Sequence, residues 1–597
     1  MTAIQGAIIL LENEAATEAA EDMMDRRTCE GTKKQYDSAI GLMITWMKTN
    51  HPHLVESENN VDSLKMPLND AAVLQWLAVA SKKPNGKYKS YSCISGYKSA
   101  IGDLYTSREQ DMQAALKKKL KKYSAGYKRT IADLKQNGEI PMQEGKLPVT
   151  FQGYACLALI ALNPFRGGLL QDVAQTLLLY AHLYLIWQWN LMARTVSIAT
   201  CRYEHITWNR DSLVVHIPRH KGDTEAAHSY PKHVYANPYN PLICPVLALA
   251  LHIACTSYRT EESQSGVFAG GSIDSKFSKW LLAVLEQLTD LELIQLGVPV
   301  EDVGTHSVRK GVASFASSIV GGATMIAVFL RLGWGIGNVQ QRYIFQGEGS
   351  DQVLGRCVCG LNLNEVEFTV LPPHFDSPDV LTIEELNLVV PGFSGYPAGF
   401  RFAIPFLLAS LVYHSEWLNN NLPRTHPYFN CAFYRHSYGV SLKPRVLLGL
   451  NKCATTGMQA TGIPPHMATA YRVSEVEKSI QRMNEDNATR HSEIQAMSST
   501  MLTTLPRLVV NEIREHCVVT GMQPLTMIDL ERVLGQRVES ILSRFNEVNA
   551  ATGSATATAQ HQVAAVHHNT FEEDIWPRYY WAGRYQFTPS IDYIFPS

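Results

Sequence analysis

Residues 305–311 read THSVRKG, and this short stretch bears most directly on the fold of the chain. His306 and Arg309 are three residues apart, so on a helix their side chains share one face. A single His–Arg pair is common on solvated helix surfaces. Its significance therefore depends on which other groups the rest of the chain can bring beside it.

The residues upstream of this stretch change from a helical pattern to a strand pattern. Residues 151–192 are strongly apolar with helical periodicity. The segment SLVVHIPRHKGD (212–223) then alternates like a strand that runs into a Lys-Gly-Asp turn. Helical patterns return from 242 to 347. The middle third of the chain is therefore predicted to be mainly α with one small antiparallel sheet.

Four further residues in this region could join the His–Arg pair. Arg194 follows the apolar helix in LMARTVSIA, and Lys221 lies at the tip of the predicted hairpin. Trp334 stands in RLGWG and Tyr343 in QQRYIFQ. Each of these residues alone has an ordinary structural explanation, as an interior arginine, a turn lysine or a core aromatic. The full candidate set, in chain order, is Arg194, Lys221, His306, Arg309, Trp334 and Tyr343.

In this order and with these gaps, the six residues resemble the catalytic pattern of the tyrosine recombinase (phage integrase) family. The resemblance covers roughly residues 29–347, and it implies a helical, SAM-like core-binding domain followed by an α-rich catalytic domain with a small antiparallel sheet. The segments THSVRKGVAS and LPPHF and the aromatic C-terminal segment look most like the eukaryotic crypton transposon branch of the family.

The chemistry of phosphodiester transfer explains these residue types. A DNA phosphodiester is an anion, and the guanidinium groups of Arg194 and Arg309 can neutralise its nonbridging oxygens through forked hydrogen bonds. A tyrosine has an ordinary pKa of about 10 and is a poor nucleophile at neutral pH. Neighbouring cations would favour the phenolate of Tyr343, and His306 could accept its proton or bind a phosphate oxygen.

Two further side chains would complete such a site. Lys221 could protonate the leaving 5′ oxygen, and the indole N–H of Trp334 could bind one nonbridging oxygen. This chemistry requires no metal and no cofactor. One departure from the family pattern is Ser197, which stands where the family commonly has an acidic residue that helps to orient the arginine and the histidine.

The resemblance also implies the course of the reaction and its partners. Tyr343 would form a covalent 3′-phosphotyrosyl link with double-stranded DNA, and a 5′-hydroxyl from another duplex would reverse it without ATP. Strand exchange in the family typically takes four protomers, so a homo-tetramer on DNA is expected. Residence in the nucleus is expected for an element of a eukaryotic host.

The net charge of −2 conceals a strongly basic region near the N-terminus. Residues 82–129 contain thirteen Lys or Arg side chains and three acidic ones. A solvated helix face can explain a basic run, but the scarcity of interleaved acids favours contact with a phosphate backbone. The residues predicted to bind DNA are Lys87, Lys89, Lys98, Lys117, Lys118, Lys119, Lys121, Lys122, Lys128 and Arg129.

With 597 residues the chain is too long for one core, and it is expected to be a mainly α, multidomain protein. The predicted parts are a disordered acidic tail (1–28), a helical core-binding domain (29–134), a linker (135–150), a catalytic domain (151–349), a C-terminal extension of unknown class (350–465), a helical segment (466–550), a low-complexity linker (551–570) and an aromatic-rich C-terminal segment (571–597).

Two classes of protein are disfavoured by the sequence. The most apolar run, 177–189, is too short to cross a bilayer, so no membrane association is expected. The eleven cysteines are scattered without CxxC pairs, which argues against a disulfide framework or a zinc site.

The segment 466–550 contains a regular pattern with two interpretations. Nine positions from Val473 to Met501 keep alternating spacings of three and four, and seven of the nine are apolar. The pattern suits a short coiled coil in which Asn487 fixes the register. It equally suits an amphipathic helix packed on its own domain.

Three functions from different classes fit the sequence. The favoured one is a site-specific recombinase or integrase of a mobile element. A type IB topoisomerase would use similar chemistry to relax DNA as a single clamp, and a non-catalytic DNA-binding regulator would keep the fold without the reaction. The tryptophan before the tyrosine and the separate helical N-terminal module favour the recombinase over the topoisomerase.

Overall fold

The computed structural model describes residues 15–58, 60–142, 145–163, 175–217, 230–258, 266–268, 270–334 and 348–520, with a few isolated residues beyond. The predicted mainly α class with small antiparallel sheets is confirmed. The chain divides into two compact units, Met1–Met467 and Ala468–Ser597. Among the described residues, no helix combines the length and the apolar character needed to cross a bilayer.

The N-terminal part of the first unit is a helical module with its own apolar core. Its helices are α1 (15–25), α2 (Glu30–Asn50), α3 (Asp70–Ala80), α4 (Tyr91–Ser107) and α5 (Ala114–Gln136), and strands β1 (Val55–Glu58) and β2 (Val61–Leu64) form a hairpin. The side chain of Asn69 caps α3 by accepting hydrogen bonds from the backbone N–H groups of Ala71 and Ala72. Helix α1 is a correction to the predicted disordered acidic tail over residues 15–25, and residues 1–14 of that prediction lie outside the described residues.

The helix α1 segment differs from that prediction for a local reason. Its sequence, AATEAAEDMMD, is rich in alanine and glutamate, which favour helix strongly even without burial. Its end is held to the module, since Arg27 forms an ion pair with Asp103 of α4 at 2.6 Å.

The middle of the unit carries the candidate site. Its helices are α6 (Phe151–Leu162), α7 (Gln175–Asn190), α8 (Thr195–Ala199), α9 (Pro245–Cys255), α10 (Ile273–Leu285), α11 (Asp290–Leu296), α12 (Thr305–Ser318), α13 (Met325–Leu332) and α14 (Glu348–Val358). Strands β3 (Ile206–Asn209), β4 (Ser212–Val215) and β5 (Lys232–Val234) form one antiparallel sheet in sequence order. The predicted strand pattern therefore corresponds to β4, and β5 is the next described strand.

The predicted extension shares the core of this middle region. Its elements are β6 (His374–Phe375), α15 (Ile383–Val389), α16 (Ala398–Tyr413), α17 (Ser415–Asn421), α18 (Ala432–Arg435), α19 (Tyr438–Ser441) and β7 (Val446–Leu447). Helix α16 packs against β3 and α9, and the ring of Phe406 stacks on Trp208 of β3 with centroids 4.2 Å apart. One apolar cluster runs from Val149 to Phe433, so the extension covers the sheet that borders the site.

The second unit is described mainly through one long helix, α20 (Pro465–Thr520). Its 56 residues cover the predicted helical segment as far as the description reaches. The predicted linker and the aromatic C-terminal segment, 551–597, lie outside the described residues.

Candidate active site

Arg194 and Arg309 are brought to one cleft from separate helices. Arg194 is the N-cap of α8, immediately after the turn at Met192, whose φ is +51°. Arg309 lies in the second turn of α12, is only 8% exposed, and its guanidinium donates to the carbonyl of Leu332. The structure thus places the two predicted arginines together although 114 residues separate them in sequence.

Among the described residues, three basic side chains and no carboxylate line the cleft. Burial lowers the pKa of Arg194. Burial also lowers the pKa of Arg309 to about 10, and the charge of Arg194 adds to that effect. Like charges held together in a half-buried site favour an anionic ligand. The lining residues are Ala193, Arg194, Ser197, Ile217, Tyr230, Lys232, Arg309, Leu330, Leu332 and Gly333.

Lys232 is the third basic residue of the cleft, and no motif in the sequence predicts it as a site residue. It begins β5, and its ammonium donates to the carbonyls of Leu191 at 2.9 Å and Arg331 at 2.8 Å. Burial lowers its pKa to about 7, with contributions from the charges of Arg331 and Arg309. Near neutral pH this amine is therefore poised between its two protonation states, which suits proton transfer.

A buried ion pair holds the strands and helices around Lys232 in place. Arg331 is fully buried, and it donates to the Asp351 carboxylate at 2.7 Å and to the carbonyls of Asn190 and His233 at 2.8 and 2.9 Å. Asp351 also accepts from the backbone N–H of His233 at 2.7 Å. Burial alone would raise the pKa of Asp351, but Arg331 and His233 outweigh it and hold the carboxyl below its usual pKa.

A second buried pair fixes the turn between β3 and β4. Asp211 in that turn pairs with Arg356 of α14, and both side chains are fully buried. Thr461 donates to the same carboxylate from its backbone N–H at 3.0 Å and from its hydroxyl at 2.6 Å. The extension is therefore tied through Thr461 to the sheet that carries Lys232.

Two predicted site residues lie near the cleft and outside its lining. His306 is exposed in the first turn of α12, one turn before Arg309. Trp334 follows Gly333 and is 43% exposed, with its ring 5.5 Å from that of Phe329. Both therefore flank the cleft in the described structure, and their roles stay predictions.

Lys221 and Tyr343 lie outside the described residues, within 218–229 and 335–347. Described residues next to both segments line the cleft. Ile217 and Tyr230 precede and follow the first segment, and both line the cleft. Gly333, two residues before the second segment, lines it as well.

The predicted DNA-binding lysines lie largely on the outer face of α5. Leu116, Leu120, Tyr127 and Ile131 turn inward. Lys119 pairs with Asp70 at 3.2 Å, and the less exposed Lys89 donates to the hydroxyl of Tyr97 at 2.9 Å. The exposed members of the predicted set are Lys87, Lys98, Lys117, Lys118, Lys119, Lys121, Lys122, Lys128 and Arg129.

The described part of the chain contains no group of three or more His, Cys, Asp or Glu side chains placed to hold a metal ion. No family model matches the chain, and no curated protein matches it.

Among solved structures, the chain is similar to Ndc10, described as a platform for inner kinetochore assembly in budding yeast. The identity is 12%, the match covers 71% of this chain and 93% of that one, and the TM-score is 0.29. It is also similar to XerA recombinase, with 12% identity, 57% and 95% coverage and a TM-score of 0.21. A third similar structure is Flpe in a Holliday-junction complex, with 10% identity, 67% and 99% coverage and a TM-score of 0.31.

Proposed function

We propose that the chain is a DNA strand-transferase of the tyrosine recombinase type. It would act as a site-specific recombinase or integrase that cuts and rejoins double-stranded DNA through a 3′-phosphotyrosyl bond on Tyr343. The observation that carries the proposal is the convergence of Arg194, Arg309 and Lys232 in one cleft whose described lining has no carboxylate. A site of this composition is suited to a phosphodiester.

The charges of the cleft match the demands of that reaction. A phosphodiester gains negative charge on its nonbridging oxygens as a nucleophile attacks, and fixed guanidinium donors lower the energy of that state. Arg309 is held by the Leu332 carbonyl, so one donor is oriented before DNA arrives. The attacking phenol of Tyr343 would displace the 5′ oxygen, which needs a proton as it leaves.

Two amines are candidates for that proton. Lys221 is the candidate from the motif, and Lys232 is the candidate from the cleft. Two of the three N–H groups of Lys232 are used by the carbonyls of Leu191 and Arg331. The third N–H group could bind a phosphate oxygen or protonate the leaving oxygen. The pKa of Lys232, about 7, suits proton donation near neutral pH.

Covalent trapping on DNA tests the proposal. A duplex with a nick beside the scissile phosphate loses a short fragment after cleavage, so the phosphotyrosyl adduct accumulates. We expect a denaturation-resistant protein–DNA band with the native chain and none with Tyr343→Phe. The matched control is Tyr230→Phe, which removes the hydroxyl of a tyrosine that lines the same cleft. That variant should still form the adduct.

Three other results would support a different nucleophile or a different function. An adduct that persists in Tyr343→Phe and disappears in Tyr230→Phe would move the nucleophile to Tyr230. Relaxation of a supercoiled plasmid without exchange between paired sites would favour the topoisomerase. Specific DNA binding with no adduct in any variant would favour the non-catalytic regulator, a reading consistent with Ser197 in the cleft where the family commonly has a carboxylate.

Three finer parts of the proposal rest on the motif resemblance. They are membership of a crypton-type mobile element, assembly as a homo-tetramer on DNA, and residence in the nucleus. The assembly is tested by the mass of the complex on paired target sites, where four chains per two duplexes are expected.

A further inference from the structure

Helix α20 presents an apolar stripe to solvent over most of its length. Every residue from 475 to 497 is exposed, on all sides of the helix. A helix gains most of its stability by packing an apolar face against a partner. Within the described part of the chain, no such partner covers this stretch of more than six turns. The exposed apolar residues are Val473, Val476, Ile480, Met483, Ile494, Met497 and Met501.

The spacing of this stripe is a heptad repeat. From Val473 to Met501 its members follow at alternating intervals of three and four residues, which are the a and d positions of a coiled coil. The structure bears on the choice left open by the sequence, because an amphipathic helix packed on its own domain would bury this stripe. Polar pairs lie on the opposite face, where Lys478 contacts Glu475 at 3.1 Å and Gln481 contacts Glu485 at 3.2 Å.

The residue types at the a positions favour two parallel strands. Val473, Ile480 and Ile494 are β-branched residues at a, as in parallel dimers that have leucine at d, and here unbranched methionine stands at two of the four d positions. Asn487 also occupies an a position, where facing asparagine amides can pair across a two-stranded seam and fix its register. Arg490 at d follows Asp486 by one turn, so its charge can be met at the edge of the seam.

The flanking charges agree with the same orientation. In a parallel dimer a g residue faces the e residue five positions later on the other strand. Arg472 at g thereby faces Glu477 at e, and Asp486 faces His491. No g–e′ pair within residues 472–498 joins two charges of the same sign. The flanking charges of two parallel copies are therefore compatible, with an Arg472–Glu477 pair on each side of the seam.

We propose that α20 pairs with the same helix of a second copy of this chain as a parallel, in-register, two-stranded coiled coil. The resulting dimer would exist without DNA and would bring two copies of the chain to a DNA site together. This inference goes beyond the proposed function and does not depend on it, since a non-catalytic DNA-binding protein could dimerise in the same way.

The mass of the full-length chain in the absence of DNA tests the pairing. We expect a dimer by sedimentation at micromolar concentration. The double variant Ile480→Glu/Ile494→Glu buries four like charges in the seam and should weaken dimerisation by at least about a hundredfold. The matched control, Gln481→Glu/Gln495→Glu, adds the same charges one residue further on the outer face and should leave the dimer intact.

Orientation is tested by a cysteine at a d position. Met497→Cys should cross-link two copies under mild oxidation, because identical d positions face each other only in the parallel, in-register arrangement. Gln495→Cys on the outer face is the control and should cross-link no more than the native chain. A monomeric native chain, a trimer, or equal cross-linking of the two cysteine variants would overturn the proposal.

Discussion

Arg356 and Arg309 are both buried arginines of the same unit, and their surroundings are opposite. Arg356 is enclosed by the carboxylate of Asp211, by backbone carbonyls at 2.6 to 2.9 Å and by the ring of Tyr235 at 4.4 Å. Arg309 stands beside the cations Arg194 and Lys232. Removing the counter-charge of a compensated buried cation strongly destabilises the fold, whereas a group of uncompensated cations lowers stability and is useful only when an anion binds.

The compensated region should show the largest change in stability. Asp211→Asn leaves the fully buried Arg356 guanidinium without its counter-charge, and breaking such a pair typically costs about 3–5 kcal/mol. We expect the free energy of unfolding to fall by that amount in denaturant titrations. Because the pair also anchors Thr461, the segment around residues 456–463 should exchange its amide hydrogens faster.

The double variant Asp211→Leu/Arg356→Met is the control for that prediction. It removes both charges and fills the space with apolar groups, so it should lose less stability than Asp211→Asn alone. Losses that are equal, or larger in the double variant, would mean that the hydrogen bonds of Arg356 and Asp211 to Phe368, Val370 and Thr461, rather than charge compensation, account for the effect.

The uncompensated region should respond in the opposite way. Arg194→Ala removes one of two neighbouring guanidiniums, which relieves repulsion at Arg309, so the free energy of unfolding should change by no more than about 1 kcal/mol. The rate of covalent adduct formation should fall by about a hundredfold to a thousandfold, the usual effect of losing one donor to a developing oxyanion. Single-turnover trapping on the nicked duplex measures it.

Arg202→Ala is the matched control, since Arg202 lies eight residues away and pairs with Glu204 at 2.8 Å on the surface. It should leave the rate of adduct formation unchanged. The result that would contradict a DNA-binding role for the cleft is a large loss of stability in Arg194→Ala, with an unchanged rate of adduct formation by the protein that remains folded.

The difference between the two regions also marks what the sequence could predict. The motif predicts Arg194 and Arg309 as site residues because it specifies residue types and the gaps between them. The structure brings both side chains to one cleft. Lys232 was missed because a period-two pattern assigns a side chain to a face of a strand without revealing which cleft that face borders. Its position at the start of the short strand Lys232–Val234 carries no distinguishing sequence signal.

The supporting ion pairs were beyond the reach of sequence patterns for a related reason. Asp211 and Arg356 are 145 residues apart, and neither belongs to a local motif. The short apolar runs of the extension carry no fixed period and so do not predict its packing, whereas contacts such as the stacking of Phe406 on Trp208 show what they cover. Local periodicity in the sequence predicts helices and strands, whereas the composition of the site depends on contacts between residues that are far apart in the sequence.

The smallest expected effect compares two lysines on the surface of α5 that differ in charge compensation. Lys119 already has a carboxylate partner in Asp70, whereas Lys122 lies two residues after the inward-facing Leu120 and so points away from the core. If Lys122 contacts a phosphate, Lys122→Gln should reduce the slope of log affinity against log salt by about 0.9, the release of one counterion. Lys119→Gln should reduce it less, because that charge is partly neutralised before DNA binds. Fluorescence anisotropy of a labelled duplex over a salt series measures both slopes. Equal slopes for the two variants and the native chain would remove this face of α5 from the DNA interface and leave its charge as a solvated surface.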